Sequence, residues 1–495
     1  MELTLMKKNV FALSVAAALA GFAGAAGAQV AFVNADVDPA TKFVVNSGGI
    51  GHILLQPYYT VQGNRNTLMN IINTDEVNGK AVKVRFRGAR NSDDVFDFYV
   101  FLSPGDVWRT RLYRDGEKTY LELPDSSCTL PSRDVVASTA FKTSRVYDKK
   151  DQGEVREGYV ELLTAADIIP GSALYNTIKH NGVTGAVACN PLTIESAMTA
   201  LVDKATAEGK GLTFPTAGIT GHWALTDVTT DSTNTGNLLA VVATDANNIP
   251  ANGNLVVAPQ NEYPAPADWV DSTNPTAAGT TDPLLTSGAV LAQNFDFPDL
   301  STPYLAGKSA VQQANELSDG LAVTSIVNEY VVGVGVDFRT DWVLSMPTRR
   351  YGVAIDYAAG KAVYNAGSDY FDAKNAPLTK VDGVPQVTVT SITQRYYDDS
   401  ERSLRATVSP GDLPRLAGEV NVMTFHADAD QSVLGALIST QRVNPSYGTE
   451  NISAGWGRVT LANKDKTKGL PVIGYAALQA GGKALGFTWP HASTR

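Results

Sequence analysis

The sequence predicts a mainly β protein that consists of antiparallel β-sandwich domains with one or two short helices. Three observations support this fold class. Apolar and polar residues alternate in many short segments, these segments are rich in β-branched and aromatic residues, and Gly, Pro, Asn or Asp bounds them. Because successive side chains of a strand point to opposite faces, this alternation is typical of strands with one buried face.

The strand pattern recurs along the whole chain, whereas helical patterns are few. The predicted strands are 67–73, 81–88, 95–102, 159–164, 237–244, 254–260, 340–346, 351–357, 385–397 and 421–425. One predicted helix covers 191–211, where Pro191 suits the first turn and Gly209 suits the end. A second predicted helix covers 308–320.

Residues 1–28 predict a secretory signal peptide. Lys7 and Lys8 precede an apolar stretch over 10–22, and an A-x-A-like cleavage site ends at Ala28. The apolar stretch is shorter than the roughly 20 residues that span a bilayer, and later apolar runs are also too short. We therefore expect export through the Sec pathway, a location at the cell surface or outside the cell, and no transmembrane segment after cleavage.

Two polar stretches suggest how the mature chain is divided. Residues 226–237 and 263–283 are rich in Ser, Thr, Asn, Asp, Pro and Gly, which predicts linkers or long surface loops. We place soft boundaries near 210 and 345. The predicted parts are a signal peptide (1–28), an N-terminal β domain with a disulfide (29–210), a middle β-rich domain with long polar loops (211–345) and a C-terminal β domain (346–495).

The charge of the chain argues against a nucleic-acid partner. The formal net charge is -10, and cleavage of the signal peptide removes two lysines and one glutamate, so the mature chain is slightly more acidic. An acidic protein repels the phosphate backbone of nucleic acids. We expect no nucleic-acid binding.

Two cysteines, Cys128 and Cys189, predict one structural disulfide. Both lie beside turn residues and a proline, and an even number of cysteines in an exported chain favours pairing. Two free buried thiols or a metal site are the alternatives. No C-x-x-C spacing is present, and zinc sites normally have close ligand spacing.

The sequence contains no recognisable catalytic motif. Its five histidines form no H-E-x-x-H, and neither a G-x-S-x-G elbow nor a G-x-x-x-x-G-K-[ST] loop occurs. Acidic residues are dispersed, without a pair at a spacing that indicates acid–base chemistry. We expect the protein not to be an enzyme.

A cluster of cations in "KAVKVRFRG" is the first candidate binding site. Alternation places Lys83, Arg85 and Arg87 on one face of the predicted strand, where we expect solvent. The following segment "VFDF" predicts a hairpin partner whose Asp97 offsets one of the two arginines. One acid does not match three cations, so the sequence predicts an anionic-glycan site, with lipopolysaccharide as the partner. The alternative is a solvated, ion-paired face or a contact with an acidic neighbouring subunit.

Aspartate-rich turns are the second candidate site. Asp36 and Asp38, and likewise Asp428 and Asp430, place oxygen ligands two residues apart, as calcium loops do. A related turn, "YYDDSE", lies at 396–401. None matches the EF-hand spacing, so Asx-turns and strand caps are the alternative. Calcium is a candidate cofactor.

Seven segments of the mature chain carry a resemblance to known proteins: 54–108, "DSSCTLP" (125–131), "REGYVELL" (156–163), "VNEYVVG" (327–333), 340–350, "EVNVMTF" (419–425) and 470–491. Together they resemble a family of exported Gram-negative proteins described as cell surface or surface-layer-like proteins. The resemblance spans nearly all of the mature chain, but its motifs consist of packing and turn residues. The resemblance implies a structural or interaction role outside the cell and supplies no site residues.

Two functions from different classes follow from these observations. The first is a structural cell-surface protein that associates with itself into a layer or a filament through exposed strand edges. The second is an extracellular carbohydrate- or polymer-binding adhesin or accessory module that uses exposed aromatic side chains. The candidate aromatic residues are Tyr58, Tyr59, Trp223, Trp269, Tyr396 and Tyr397.

Overall fold

The computed structural model describes residues 31–260 and 297–495, except 200, 202, 334–336, 410–414, 426–431 and 482–483. The described chain is mainly β and its sheets are antiparallel apart from one parallel strand pair, which confirms the predicted fold class. The signal peptide and the polar stretch 263–283 lie outside the described residues. Below, the first half means the described residues up to 260, and the second half means those from 297 onward.

Fifteen strands form the first half. They are β1 (Ala31–Val33), β2 (Lys42–Asn46), β3 (Ile53–Thr60), β4 (Arg65–Asn73), β5 (Gly79–Gly88), β6 (Asp94–Leu102), β7 (Val107–Asp115), β8 (Lys118–Glu122), β9 (Cys128–Leu130), β10 (Glu157–Ile168), β11 (Leu212–Thr213), β12 (Ile219–Asp227), β13 (Ser232–Asn237), β14 (Leu239–Thr244) and β15 (Leu255–Val257).

The first half is a sandwich with a third layer on one side. An eight-stranded sheet has the order β2-β14-β3-β10-β5-β6-β9, with β11 paired to β10. A five-stranded sheet, β13-β12-β4-β7-β8, packs on one of its faces, where Trp108 lies 5.8 Å from Phe98 between ring centroids. Short helices and the segment around 300–321 cover the other face. The central strands β5 and β10 are therefore buried along their whole length.

Five short α-helices lie in the described chain, more than the one or two predicted. They are α1 (Arg133–Ser138), α2 (Ala173–Ile178), α3 (Pro191–Ala197), α4 (Lys204–Gly209) and α5 (Ala310–Leu321), and 3-10 helices occur at Gln152–Val155 and Arg349–Tyr351. The predicted helix over 191–211 is two helices, because the Asp203 side chain accepts a hydrogen bond from Thr206 N and caps a new start. The predicted helix over 308–320 corresponds to α5, which begins with a capping box at Ser309.

Eighteen strands form the second half. They are β16 (Ala322–Val323), β17 (Ser325–Val331), β18 (Phe338–Ser345), β19 (Val353–Asp356), β20 (Lys361–Tyr364), β21 (Leu378–Val381), β22 (Val384–Val389), β23 (Ile392–Asp398), β24 (Ser403–Ser409), β25 (Leu416–Ala417), β26 (Val420–Thr424), β27 (Thr440–Tyr447), β28 (Glu450–Asn451), β29 (Ala454–Leu461), β30 (Leu470–Pro471), β31 (Ile473–Ala480), β32 (Gly486–Pro490) and β33 (Ala492–Thr494).

An eleven-stranded sheet dominates the second half. Its order is β32-β31-β18-β26-β27-β24-β23-β29-β17-β33, with β28 paired to β27. The two ends of this order, β32 and β33, follow each other directly in the chain, so the sheet curves back on itself. It encloses a core of aromatic rings in which Tyr330 and Phe425 stack at 5.0 Å and Trp342 lies 4.8 Å from Phe425.

Strand pairing crosses both predicted domain boundaries. Near 210, β12 pairs with β4 and β14 pairs with β3, so strands from the predicted middle domain complete the sheets of the N-terminal one. Near 345, β17 and β18 pair with β29 and β31. The sheets thus group the described strands as 31–257 and 322–494 and not as 29–210, 211–345 and 346–495. Hydrogen-bonded neighbours in a sheet are often distant in sequence, which composition does not reveal.

Cys128 and Cys189 form the predicted disulfide, with their Cα atoms 5.3 Å apart. The bond links β9 to the loop before α3, and the two cysteines are 61 residues apart in sequence. In the chain-entropy model, a loop of that length stabilises the folded state by about 4 kcal/mol. The disulfide therefore fastens the helical layer to the edge of the eight-stranded sheet.

The two halves share a buried joint. Glu157 on β10 is 0% exposed, and its carboxylate accepts hydrogen bonds from Leu437 N (2.7 Å), Ile438 N (3.0 Å) and the Ser439 hydroxyl (2.6 Å). The backbone N–H groups of Glu419 and Val420 both donate to Ala89 O, at 2.9 Å and 3.0 Å. Because buried polar groups are costly to separate from their partners, these contacts hold the halves as one unit.

Candidate functional site

The predicted cation cluster lies in the interior, which corrects the expectation of a solvent-facing ridge. Lys83, Arg85 and Arg87 are 1%, 1% and 0% exposed. The alternation itself is confirmed, since Val82, Val84 and Phe86 belong to the sandwich core on the opposite face. The prediction is wrong about solvent because a third layer covers the face that carries the cations.

Part of that covering layer comes from the second half of the chain. Arg85 donates to Pro298 O at 3.0 Å, and Arg87 donates to the Tyr351 hydroxyl at 3.4 Å. Arg87 also lies 3.6 Å from the carboxylate of Asp299. Lys83 donates to Gln260 at 2.6 Å and lies over the ring of Tyr99. These groups take the place of the water that would otherwise solvate the cations.

Acids from both neighbouring strands face the cations across the sheet. In the strand register, Asp97 on β6 and Glu161 on β10 lie on either side of Arg85, and Asp94 lies opposite Arg87. The ion pairs are Lys83 with Asp97, Arg85 with Asp94, Arg87 with Glu161 at 3.3 Å, and Arg145 with Asp94 at 2.8 Å. The hairpin of β5 and β6 is confirmed. Asp97, expected to offset an arginine of β5, lies opposite Arg85 but forms ion pairs with Lys83 and, at 3.8 Å, with Arg145.

The pKa shifts in this network favour charged arginines. Burial disfavours the guanidinium of Arg87, yet Glu161, Tyr351, Asp94 and Tyr159 together more than offset this effect, so the pKa of Arg87 lies well above its ordinary value. Burial alone would raise the pKa of Asp97, but the positive charges of Lys83, Arg85 and Arg145 hold that pKa below its ordinary value. The network is thus made of compensated charges, and its role is to join layers of the fold.

Of the four aspartates predicted to bind calcium, the structure describes two. Asp36 and Asp38 are exposed, and Asp36 forms an ion pair with Lys204 at 2.9 Å. Asp428 and Asp430 lie outside the described residues. In the described part of the chain, no group of three or more His, Cys, Asp or Glu side chains has a geometry that could hold a metal ion. Calcium binding therefore stays a prediction that Asp36 and Asp38 by themselves do not support.

Most of the aromatic side chains considered for sugar binding are core residues. Tyr58, Tyr59, Trp223 and Tyr396 are at most 4% exposed. Trp269 lies outside the described residues. Tyr397 differs from the others because it is half-buried on the outer face of the eleven-stranded sheet.

Tyr397 belongs to a surface that sequence reasoning did not find. It lies opposite Trp456 on β29, and the two rings stack with centroids 4.5 Å apart and planes 17° apart. On the same two strands, two residues from this aromatic pair, Arg395 lies opposite Arg458. Arg405 is on the same face, because Ser403, two residues before it, pairs with Tyr397. We call Arg395, Tyr397, Arg405, Trp456 and Arg458 the arginine–aromatic face.

The arginines of this face are exposed and lack acidic partners. Within the described chain, Arg395, Arg405 and Arg458 form no ion pair and no side-chain hydrogen bond. The adjacent Arg402, by contrast, pairs with Asp398 and lies 3.8 Å from Glu450. A signal for this face was present as two short motifs, "QRYY" (394–397) and "GWGR" (455–458), each with an aromatic residue two positions from an arginine. Only strand pairing brings the motifs together.

Two cavities lined by described residues are small. One of about 50 Å³ lies beside the buried network and is lined in part by Asp97, Lys142 and Arg145. Another of about 10 Å³ lies between α5 and the 3-10 helix Arg349–Tyr351. Cavities of this size have room for water molecules. The arginine–aromatic face, which is a surface and not a cavity, is therefore the stronger candidate for binding.

Comparison with known proteins returned no match, either to a protein-family model or to a curated protein. Among the described residues, no helix has the length and apolar character needed to cross a membrane.

Proposed function

We propose that the protein is a secreted structural protein of the cell surface that associates with itself into a layer or filament. The observation that carries this proposal is the buried joint between the halves. Two sheet systems that could have moved as separate modules share one core, in which Val343, Val422 and Tyr475 of the second half pack with first-half residues. A subunit of fixed shape is what a regular assembly requires, since its contacts must repeat with the same geometry.

The polar interior supports the same function. Glu157, Arg349 and Glu419 are at most 1% exposed, and each has hydrogen-bond partners across the joint or beside it. Breaking such contacts leaves uncompensated buried charges, which costs several kcal/mol per pair. The interior is therefore used for rigidity, and we propose no catalytic role for it.

Exposed sheet edges offer contacts for assembly. The terminal strand β33 pairs with β17 on one side, and all three of its residues are exposed. Unpaired backbone groups at a sheet edge bind other strands readily. The net charge of -10 makes separate copies repel each other, and salt or divalent cations weaken this repulsion.

The proposal predicts concentration-dependent assembly of the purified, exported protein. We expect particles to grow as protein concentration rises, and to grow more at higher ionic strength or with calcium, because both screen the acidic surface. Analytical ultracentrifugation measures the growth, and negative-stain electron microscopy shows whether arrays or fibres are ordered. Protein that stays monomeric at every concentration, with and without calcium, would contradict the proposal.

Location is tested on the same material. We expect the protein in the extracellular or cell-surface fraction, with an N-terminus at Gln29 after removal of residues 1–28. Mass spectrometry of the intact protein reads the N-terminus directly. A protein found inside the cell with residues 1–28 still attached would contradict export, whatever its state of assembly.

A further inference from the structure

Three arginines occupy adjacent strands of the arginine–aromatic face. Arg458 on β29 lies directly opposite Arg395 on β23. Neighbouring hydrogen-bonded strands are about 4.8 Å apart, so Arg395 and Arg458 are roughly 5 Å apart at the backbone. Arg405 on β24 adds a third cation to this row, on the same face and one residue beyond the last pair between β23 and β24, Tyr396 with Leu404.

This row is unfavourable in the isolated protein. Like charges directly opposite each other in a sheet repel, and no acid of the described chain neutralises these arginines. The nearest acid in the strand register is Glu329, which lies opposite Trp456 and forms no ion pair with Arg458. Exposed arginines in this arrangement are suited to a negatively charged partner from outside the chain.

The aromatic pair adjoins the row. Tyr397 and Trp456 stack on each other two residues from Arg395 and Arg458, and both side chains are half-buried. Such rings present apolar surface and a polar edge at the boundary with water. Sugar rings have apolar C–H faces and polar hydroxyl edges, so they match this combination.

The layer below keeps the face rigid. Gly457, between Trp456 and Arg458, lies against the ring of Tyr396, and a Cβ atom at this position would come within 2.6 Å of that ring. Tyr396 in turn contacts Tyr330 and Phe425 in the aromatic core. A rigid face loses little conformational entropy when a ligand binds.

We propose that the arginine–aromatic face binds a linear acidic polysaccharide. In this interaction the guanidinium groups of Arg395, Arg405 and Arg458 hold carboxylates or phosphates of successive sugars, and Tyr397 and Trp456 contact a sugar ring beside them. This site goes beyond self-assembly, and it relocates anionic-glycan binding from the buried Lys83, Arg85 and Arg87 to an accessible surface.

The spacing of the charges favours a polysaccharide over a second copy of the chain. Arg395 and Arg458 oppose each other across the strands and Arg405 follows on the next strand, so the three cations extend across the sheet. A linear polymer likewise carries its anionic groups along one direction. The acidic side chains of a folded protein surface are mixed with cations, as Asp36 with Lys204 and Glu122 with Arg111 show in this chain. A second copy is therefore an outcome to test for and not the proposed ligand.

The experiment measures binding of the full exported protein to polygalacturonate, to lipopolysaccharide and to neutral dextran over a salt series. The main variant is Arg395→Gln with Arg458→Gln, and Trp456→Ala tests the ring. We expect the double variant to weaken polygalacturonate binding by about tenfold or more, and Trp456→Ala by about fivefold. The double variant should also show a shallower dependence of affinity on salt. The polygalacturonate and lipopolysaccharide arms distinguish carboxylate from phosphate as the preferred group.

The matched control is Arg111→Gln, on β7 of the five-stranded sheet in the first half. Arg111 is also a strand arginine near a stacked aromatic pair, Tyr113 and Tyr120, but its cross-strand partner is Glu122. We expect Arg111→Gln to bind like the original protein. Three results would each overturn the proposal. The control could lose as much affinity for polygalacturonate as the double variant does, the original protein could bind dextran as tightly as the acidic polymers, or the double variant could keep its full affinity. A double variant that no longer associates with itself yet keeps its affinity for the polysaccharides would overturn it as well, because the face would then be a contact between copies.

Discussion

Two rows of cations in this protein have opposite environments. Lys83, Arg85 and Arg87 follow one strand, β5, and are buried, whereas the row of Arg458, Arg395 and Arg405 crosses three strands and is exposed. The buried row has acids on both neighbouring strands and a further layer above it. Within the exposed row, Arg458 has another arginine on one side and an aliphatic residue, Val327, on the other, and no layer formed by described residues covers the row.

The difference shows that a charged residue on a strand takes its role from its cross-strand neighbours and from the next layer. The buried cations are neutralised within the fold, so they connect its parts and are unavailable to a ligand. The exposed cations keep their charge available and are the better candidates for binding. The contrast leads to three measurements, in order of decreasing effect on stability.

The largest effect is expected when the buried row is broken. Arg87→Met removes the partner of Glu161 and a neighbour of Asp299, both fully buried. An uncompensated buried carboxylate costs about 3–5 kcal/mol of unfolding free energy. Urea denaturation of the exported protein measures this loss, and Arg395→Met on the exposed row is the matched control, for which we expect a change within about 0.5 kcal/mol.

A double variant then distinguishes charge from packing. With Glu161→Met added to Arg87→Met, both charges of the pair are absent, and we expect at least half of the lost stability to return. A loss below about 1 kcal/mol for Arg87→Met alone would mean that the buried row does not stabilise the fold, and the comparison would fail. Equal losses for Arg87→Met and Arg395→Met would have the same meaning.

An intermediate effect is expected on the pH dependence of the unfolding free energy, through the buried His52 next to Lys80 of β5. His52 is fully buried, its Nδ1 accepts a hydrogen bond from Ala243 N, and burial together with the charge of Lys80 lowers its pKa from 6.5 to about 3. The unfolded chain binds a proton below pH 6.5, while the folded chain does so only near pH 3. Stability is therefore lost as pH falls through this window, by about 1.4 kcal/mol per pH unit for this group.

Replacement of the ring isolates that contribution. As pH falls through this window, we expect His52→Gln to become more stable relative to the original protein. The gain in relative unfolding free energy should be about 1.4 kcal/mol per pH unit. His222→Gln, which replaces an exposed imidazole on β12, is the control. A difference that stays constant between about pH 7 and pH 4 would show that His52 does not titrate differently in the two states.

The smallest effect is expected on the exposed row. Arg458→Thr removes one of two opposed arginines and introduces a residue that suits strands, so we expect a gain of about 0.2–1 kcal/mol. The gain should shrink at high salt, where repulsion between exposed charges is screened. Thermal or urea unfolding at two salt concentrations measures it. A loss of more than about 1 kcal/mol would reveal that Arg458 has a stabilising partner, which contradicts the description of this row.

Sequence reasoning succeeded where the signal is local. The strand predictions at 81–88 and 95–102 coincide with β5 and β6, and the two strands pair as a hairpin. The disulfide between Cys128 and Cys189 is confirmed for a comparable reason, since two cysteines allow only one intramolecular pair. Helices α1 and α2 escaped prediction because each has only six residues, too few to show a helical period.

The candidate site was less accessible to sequence reasoning. Tyr397 was named as an exposed aromatic residue, but its partner Trp456 lies on β29, far along the chain, as does Arg458, which opposes Arg395. Tyr58 and Tyr396, like Tyr397, each belong to a Tyr-Tyr pair within a strand, yet both are core residues. An alternating pattern separates the two faces of a strand without indicating which face another layer covers.

The sequence by itself determined individual strands such as β5 and β6, the alternation that separates Val84 from Arg85, and the pairing of the two cysteines. Each depends on chain geometry over a few residues or on a unique partner. The tertiary structure alone decided which cations are buried. Asp299 and Tyr351 reach Arg87 from positions more than two hundred residues away, and no local pattern encodes their arrival. The same long-range pairing placed Arg458 beside Arg395 on a face that nothing in the described chain covers. Charge is a property of the residue, whereas its solvation and its partners belong to the packed layers around it.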